Sequence, residues 1–366
     1  MSSIPLAGAR LDPRLRLVML FLVPGFIGHT IQLTAEDVPW DHGAWERYWW
    51  TPGWHLFVDP WVVVAIAVML GLAVIGMGGT AAWDAPCRRV IEPRSARLWA
   101  MGVIVLYAAH YLTYPFRIRN HMSHMLASTG VIGIAWLLLA VREGRLDPRR
   151  ADRLAMDGVA LITCVTYFFA GLHKLNASFT NIAVDAEGNS IVGSSAVDGL
   201  RTFFLYGDLG THPPAWLRYV AAWGTIVIET CVPVIAWRVR RLRFLAVSIL
   251  CAFHVPHVAV MDVADYPMIA SSFYPALFSR AEARIYAPYF RPSRWNVLGA
   301  AVGVAIQVWF IPWWGRLTIF GIFVLAFWGW SLASIAHAIA SRRARRGKAD
   351  AGRGRGATAV SSKPSG

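Results

Sequence analysis

The sequence predicts an all-α protein, a polytopic transmembrane helical bundle with about nine or ten membrane elements. Of its 366 residues, 56% are apolar and only 15% are charged, whereas soluble domains carry about 25% charged residues. Eight segments of about 20 residues contain almost no charge, and each is long enough to cross about 30 Å of hydrocarbon as a helix. Helices are expected because a backbone exposed to lipid must satisfy its own hydrogen bonds.

The predicted spans follow one another along most of the chain. A further span over 216–237 carries Glu229 within an apolar run. The segment 264–279 is short and contains two prolines, so it is expected either to cross the membrane or to re-enter it. The last two spans are expected to form a tight hairpin with a hinge near Gly315. The eight apolar segments are 17–33, 61–82, 98–115, 125–141, 158–172, 244–261, 296–314 and 317–340.

Charge is distributed along the chain in a way that predicts the orientation of the spans. The net charge is +14, and residues 341–366 contribute half of it with eight Lys/Arg and one Asp. The connections 34–60 and 177–215 are acidic. Because cytoplasmic loops are enriched in Lys and Arg, both termini are expected in the cytoplasm and the acidic loops outside. The other basic clusters lie at 10–16, 88–97, 142–153, 238–243 and 280–294.

These features divide the chain into a membrane domain over 1–340 and a disordered basic cytoplasmic tail over 341–366. The tail is rich in Gly, Ser, Ala and Arg, as solvated tethers are. The expected location is the cell membrane, and the first partner is the lipid bilayer. Nucleic acid is not expected as a partner, because the remaining positive charge lies in short loops where membrane orientation requires it.

Cysteine and histidine spacing limits the redox and metal chemistry that can be expected. The four cysteines form no C-x-x-C pair, which argues against a dithiol quinone reductase. The pairs His121-x-x-His124 and His254-x-x-His257 each place two imidazoles on one helix face, where they could ligate a metal. Membrane desaturases and hydroxylases use larger histidine groups, H-x-x-x-H and H-x-x-H-H, which this chain lacks. We therefore expect no metal, and a histidine-cluster metalloenzyme stays an alternative.

The polar residues of the predicted spans gather in the outer half of the membrane. Lys174 ends the apolar run that begins near Leu154, and an ammonium group at this position either reaches water or is kept for chemistry. Glu229 is expected either to be its counter-ion or to pair with a neighbouring helix. Intramembrane ionisable residues are candidates for function by default, so Lys174 is the first candidate for a catalytic residue.

Three short patterns occur in a fixed order along this part of the chain. They are Arg119-Asn120-His121, then Tyr167 followed by Ala-Gly-x-x-Lys-Leu-Asn over 170–176, then Phe253-His254. In this order they resemble the vitamin K-dependent γ-carboxylase family, specifically its membrane part, the horizontally transferred transmembrane domain. The resemblance covers about residues 10–290, and the pattern around Lys174 is its strongest part.

The resemblance implies that Lys174 is the base that deprotonates vitamin K hydroquinone or a menaquinol-like quinol. The anion then reacts with dioxygen to give a strong alkoxide base and finally the epoxide. A lysine acts as a base only as the free amine, which an apolar pocket favours. The resemblance also implies that Asn120 and His121 contact the naphthoquinone oxygens. His254 is expected to relay protons or to orient the site, and Asn176 and His257 complete the candidate substrate-contacting residues.

The chain also departs from the family in two respects. The carboxylases carry a large lumenal portion after the membrane part, whereas this chain continues into a basic tail. Ser123 and His124 replace the aromatic residue that commonly follows Asn-His. Carboxylation of a secreted peptide or protein substrate is therefore left open, and so is enzymatic activity itself. The main alternative is a non-catalytic accessory protein for the maturation, export or immunity of a secreted peptide.

Overall fold

The computed structural model describes residues 12–18, 21–22, 120–142, 148–206, 213–259, 265–290, 293–314 and 319–359. The predicted spans at 61–82 and 98–115, and most of the span at 17–33, lie outside these residues. Within the described part the chain is helical and contains no strand, and one isolated antiparallel bridge joins Val184 and Ser190. This confirms the helical class that the composition predicts.

The helices of the described part lie mostly against their neighbours in the chain. From Asn120 onward the α-helices are α1 (Asn120–Val141), α2 (Pro148–His173), α3 (Ala177–Thr180), α4 (Ser195–Tyr206), α5 (Ala215–Arg238), α6 (Arg243–Ala259), α7 (Asp265–Phe273), α8 (Arg280–Tyr286), α9 (Arg294–Trp314) and α10 (Ile319–Ala359). Helix α1 packs on α2, α5 packs on both α2 and α6, and α9 packs on α10. Two 3₁₀ turns, Tyr274–Leu277 and Ala287–Phe290, follow α7 and α8 directly.

Three of these helices are long and apolar enough to cross a membrane, within the residues that the structure describes. They are Arg149–His173 in α2, Ala215–Arg238 in α5 and Val324–Gly347 in α10. Shorter apolar helices cover Ala127–Leu138 and Arg243–Val258. The three long helices fall where the sequence predicts spans, at 158–172, 216–237 and 317–340.

The segment 264–279 forms a short buried helix and a 3₁₀ turn. Helix α7 and the turn that follows it together extend about 22 Å, which is less than the roughly 30 Å of a hydrocarbon core. Every residue from Ile269 to Phe278 is buried. Pro267 lies in the first turn of α7, where a missing N–H costs no helical hydrogen bond. The segment therefore passes through the protein interior, packed against α1, α2 and α6.

Charged side chains from four predicted cytoplasmic loops meet at one end of the helices. The Asp12 N–H donates to Asp152 Oδ2 at 3.2 Å, Arg14 Nη1 lies 2.6 Å from Asp157 Oδ1, and Arg280 Nε lies 3.1 Å from Asp12 Oδ2. Two residues further along α8, Glu282 pairs with Arg243 at the start of α6. Side chains from the basic clusters 10–16, 142–153, 238–243 and 280–294 therefore lie together at one end of the helices.

Helices α9 and α10 form a close antiparallel pair through three glycines. A Cβ added to Gly303 would lie 2.0 Å from the Leu325 carbonyl oxygen, and one added to Gly329 would lie 1.9 Å from the Gly299 carbonyl oxygen. Small residues allow this approach, as they do in many membrane helix pairs. The pair agrees with the predicted hairpin, although Gly315 itself lies outside the described residues.

Helix α10 extends beyond its apolar part into the basic segment. The sequence predicts a disordered tail over 341–366, whereas the structure continues the helix to Ala359. The first part of this segment is rich in Ala and Arg, which have high helix propensity. The helix already formed by the preceding span removes the cost of a new nucleus.

Candidate functional site

Lys174 forms an ion pair with Glu229 between the end of α2 and the middle of α5. Its Nζ lies 2.6 Å from Glu229 Oε2, and the Lys174 and Glu229 side chains are 27% and 6% exposed. Nζ also lies 3.5 Å from the Ala170 carbonyl oxygen and 5.8 Å from the centroid of the Phe179 ring. Of the two partners that the sequence allowed for Glu229, the structure has Lys174.

A glycine brings the two helices close enough for this pair to form. A Cβ at Gly171 would lie 2.5 Å from Cγ2 of Thr230 and 3.1 Å from the Ile226 carbonyl oxygen. Any side chain at position 171 would therefore push α2 away from α5, three residues before Lys174. The glycine of the Ala-Gly-x-x-Lys-Leu-Asn pattern thus has a packing role in this chain.

A second polar cluster is buried beside the ion pair and is centred on Tyr167. The Tyr167 hydroxyl lies 2.7 Å from His254 Nε2 and 2.6 Å from the Tyr274 hydroxyl. These residues come from α2, α6 and the 3₁₀ turn after α7, and none is more than 2% exposed. Because Tyr167 lies seven residues before Lys174, about two helical turns separate them along the same helix.

Two more histidines lie near this cluster: His257 is next to His254, and His124 contacts Thr163, one helical turn before Tyr167 on α2. The His257 ring stands 5.4 Å from that of His254, and its Nδ1 lies 3.1 Å from the Phe253 carbonyl oxygen one turn earlier. His124 Nε2 lies 3.1 Å from the Thr163 hydroxyl, which donates to the Val159 carbonyl oxygen. The histidines are held by tyrosine, threonine and backbone groups, and the described residues contain no group of three His, Cys, Asp or Glu side chains placed to hold a metal.

The remaining predicted site residues, Asn120, His121 and Asn176, have no described contact with Lys174 or with the Tyr167 cluster. Asn120 and His121 begin helix α1, as the sequence predicts for the start of a span, but their side chains lie outside the described part of the structure. Asn176 caps the short helix α3: its Oδ1 accepts a hydrogen bond of 3.0 Å from the Phe179 N–H. That amide is therefore committed to the turn that follows Lys174.

Tyr167 and Tyr274 are the members of the polar cluster to which the sequence assigned no role. Tyrosine contributes to apolar runs, and 107 residues separate the two hydroxyls along the chain. Two signals pointed to Tyr167: it belongs to the pattern around Lys174, and it lies seven residues before Lys174 and so shares a helix face with it.

Comparison with protein-family models, with curated proteins and with solved structures gives no match for this chain. The resemblance around Lys174 therefore stays a hypothesis that rests on three short patterns. The arrangement of side chains supplies the physical argument for a function.

Proposed function

We propose that this chain is a polytopic cell-membrane protein with cytoplasmic termini that accepts a proton from a lipid-soluble hydroquinone at Lys174. The oxygenase chemistry of the family that the sequence resembles would follow that proton transfer. The observation that carries the proposal is the 2.6 Å contact between Lys174 Nζ and Glu229 Oε2, with Glu229 buried.

An isolated ammonium group cannot act as a base, and the pairing with Glu229 overcomes this difficulty. The pair shares one proton, either as ammonium and carboxylate or as amine and carboxylic acid. In the second form Lys174 is a free amine, so its Nζ can take the hydroxyl proton of a hydroquinone. The positive charge that results would stabilise the anion beside it in a site of low dielectric constant.

The surroundings of Lys174 fit a lipid-soluble ring better than a polar substrate. The Lys174 side chain is 27% exposed while that of Glu229 is nearly covered, so part of the lysine side chain can be reached from outside the protein. Exposed apolar side chains surround this end of α2 and would favour an aromatic ring and an isoprenoid chain. They include Phe168, Phe169, Leu172 and Leu175.

The Tyr167, His254 and Tyr274 cluster lies about two helical turns from Lys174, and it would relay a proton that reaches it from the ion pair. Hydroxyl and imidazole groups at 2.6 and 2.7 Å both donate and accept, so a proton can pass along them without movement of the backbone. Asn120 and His121 remain the candidates for contact with the quinone oxygens. The bound hydroquinone would supply the electrons for the reduction of dioxygen.

The choice of lysine at position 174 agrees with a role in proton transfer. The chain has three lysines, and the other two, Lys348 and Lys363, lie beyond the last predicted span. Arginine is the cation used elsewhere, and it holds its proton permanently. A purely structural ion pair with Glu229 could have used arginine as well.

Quinol turnover by matched lysine variants tests the proposal. Purified protein in detergent is supplied with vitamin K hydroquinone or menaquinol and oxygen, and epoxide is followed by mass spectrometry. Lys174→Arg keeps a cation beside Glu229 but removes the base, so we expect epoxide formation to fall at least about 100-fold. Lys348→Arg makes the same substitution in the basic segment and should leave turnover unchanged.

The ion pair also supports a second candidate, an accessory membrane protein in which Lys174 and Glu229 only join α2 to α5. That function predicts no epoxide from the wild-type protein, and equal thermal stability for wild type and Lys174→Arg. Epoxide from wild type but not from a folded Lys174→Arg protein would reject it. An active Lys174→Arg protein would reject Lys174 as the base.

A further inference from the structure

A half-open apolar groove lies between helix α6 and the α9–α10 pair, and its lining residues include neither Lys174 nor Glu229. Its volume is about 980 Å³, at the upper end of the range of small-molecule sites. All three helices contribute aliphatic side chains or alanines to its walls. Representative lining residues are Cys251, Val255, Leu298, Val302, Leu332 and Ala336.

The groove is long and lies along the helix axes. On α10 its lining extends from Leu325 to Ala344, which corresponds to about 28 Å of helix. On α6 it extends from Phe244 to Val255, or about 16 Å. These dimensions suit an extended hydrocarbon chain lying parallel to a membrane-spanning helix.

Cationic and aromatic groups border the groove at the end near Ala344. Trp295 and His337 both line it, and their rings lie 6.2 Å apart. The Arg294 guanidinium lies 5.3 Å from the centroid of the Trp295 ring. Arg345 Nη2 donates to the Tyr289 hydroxyl at 2.9 Å, and the Tyr289 ring contacts His337. Among the described residues, neither arginine is ion-paired with a carboxylate.

We infer that this groove binds an anionic phospholipid, with an acyl chain between the helices and the phosphate beside Arg294 and Arg345. Tryptophan, tyrosine and arginine at one end of an apolar groove match the boundary between head group and hydrocarbon. The charge at this end is complementary to an anionic head group. The proposed orientation would place it in the cytoplasmic leaflet, although binding depends only on the groove and its two arginines.

Native mass spectrometry of the full-length protein tests this site. The delipidated protein is titrated with dioleoyl phosphatidylglycerol and dioleoyl phosphatidylcholine, which share acyl chains and differ in charge. We expect preferential binding of the anionic lipid by wild type. Arg294→Gln/Arg345→Gln should weaken that binding roughly 30-fold, since each basic residue near a membrane surface contributes about 1 kcal/mol. Arg150→Gln/Arg153→Gln removes two exposed arginines at the start of α2 and should leave the binding unchanged.

A second pair of variants tests the groove itself. Ala336→Trp fills it and should abolish the tightly bound lipid, whereas Ala301→Trp places the same bulk on an exposed position of α9 outside the lining. Equal binding of the two lipids by wild type would overturn the inference, as would full binding by a folded Ala336→Trp protein. Displacement of the lipid by a long-chain quinone at equal concentration would assign the groove to the quinone instead.

Discussion

Lys174 and Glu229 each carry a charge that the other makes tolerable in an apolar environment. A carboxylate that is 6% exposed cannot stay ionised at low cost without a partner. The two residues come from different helices, so the ion pair stabilises the packing of α2 against α5 in addition to any role in proton transfer. A stability measurement can separate these two contributions.

We predict that loss of one member of the pair destabilises the protein more than loss of both. Lys174→Met should cost about 2 kcal/mol, less than the 3–5 kcal/mol of a fully buried pair, because Lys174 is partly exposed. Lys174→Met/Glu229→Gln should recover at least about half of that loss, since no unpaired charge is left behind. Unfolding in mixed detergent micelles measures both values. Additive losses would show that the two side chains are not coupled.

Tyr286, which lies on α8 outside the spans, gives a prediction for alkaline pH. Burial, followed by the nearby Glu282 carboxylate, raises the pKa of its phenol from 10.0 to about 12. Because the pKa is higher in the folded state, the stabilising contribution is complete below pH 10 and is lost as the pH rises towards 12. The unfolding midpoint of wild type should therefore fall more steeply between pH 10 and 12 than that of Tyr286→Phe. Parallel curves would contradict this.

At the scale of helices, single glycines set the distance between neighbours. Gly171 does so for α2 and α5, and Gly299, Gly303 and Gly329 do so for α9 and α10. An added methyl group would overlap backbone carbonyls at the three glycines of α9 and α10, and the Thr230 side chain and nearby backbone atoms at Gly171, so the helices would have to move apart. Other helical glycines, such as Gly130 and Gly224, have no atom within 4 Å of an added Cβ.

We predict opposite effects for the same substitution at Gly171 and Gly224. Gly171→Ala should destabilise the protein by about 1–3 kcal/mol, because the new Cβ overlaps Thr230. Gly224→Ala should be neutral or stabilising by up to about 1 kcal/mol, since alanine favours the helix and the space is open. Thermal unfolding of the two purified variants makes the comparison. A similar gain in both would mean that helix propensity, not contact, decides the effect.

The sequence predicted the long helices well and the short ones poorly. Apolar length alone is sufficient to locate α2, α5 and the first part of α10. The segment after α6 was ambiguous because its depth depends on packing, and its buried serines contact distant residues: Ser271 accepts from Trp328, and Ser272 donates to the Phe21 carbonyl. Tertiary contacts of this kind leave no local pattern.

The candidate site, too, could be predicted only in part, because single residues show in the sequence and their tertiary contacts do not. Charge in an apolar run identified Lys174 and Glu229, and their pairing was one of the two alternatives that the sequence left open for Glu229. Tyr167 belonged to the pattern around Lys174, but the role of its hydroxyl could not be predicted, and Tyr274 could not be identified at all. In sequence, a tyrosine that fills a core does not differ from one that binds a histidine. His254 was identified by its depth in the membrane, but its partners were not.

At the scale of the whole molecule, four basic loops meet at one end of the helices, which predicts that they occupy the same side of the membrane. Their positive charge predicts that this side is the cytoplasm. Cysteine labelling in intact cells tests this in a background without the native cysteines. Glu187→Cys, in the acidic connection after α3, should react with a membrane-impermeant maleimide from outside. Arg241→Cys, between α5 and α6, should react only after lysis, because basic loops are retained in the cytoplasm. Labelling of both from outside would contradict the proposed topology.

The hydrogen bond from Ser272 Oγ to the Phe21 carbonyl oxygen has a consequence for biosynthesis. The two residues are 251 positions apart in the chain. At roughly 5–20 residues per second, a ribosome needs about 12 to 50 s to make the intervening segment. Phe21 must therefore wait for that time before its partner Ser272 exists. A chain arrested before α7 would lack these contacts and would offer its first segment to quality-control proteases.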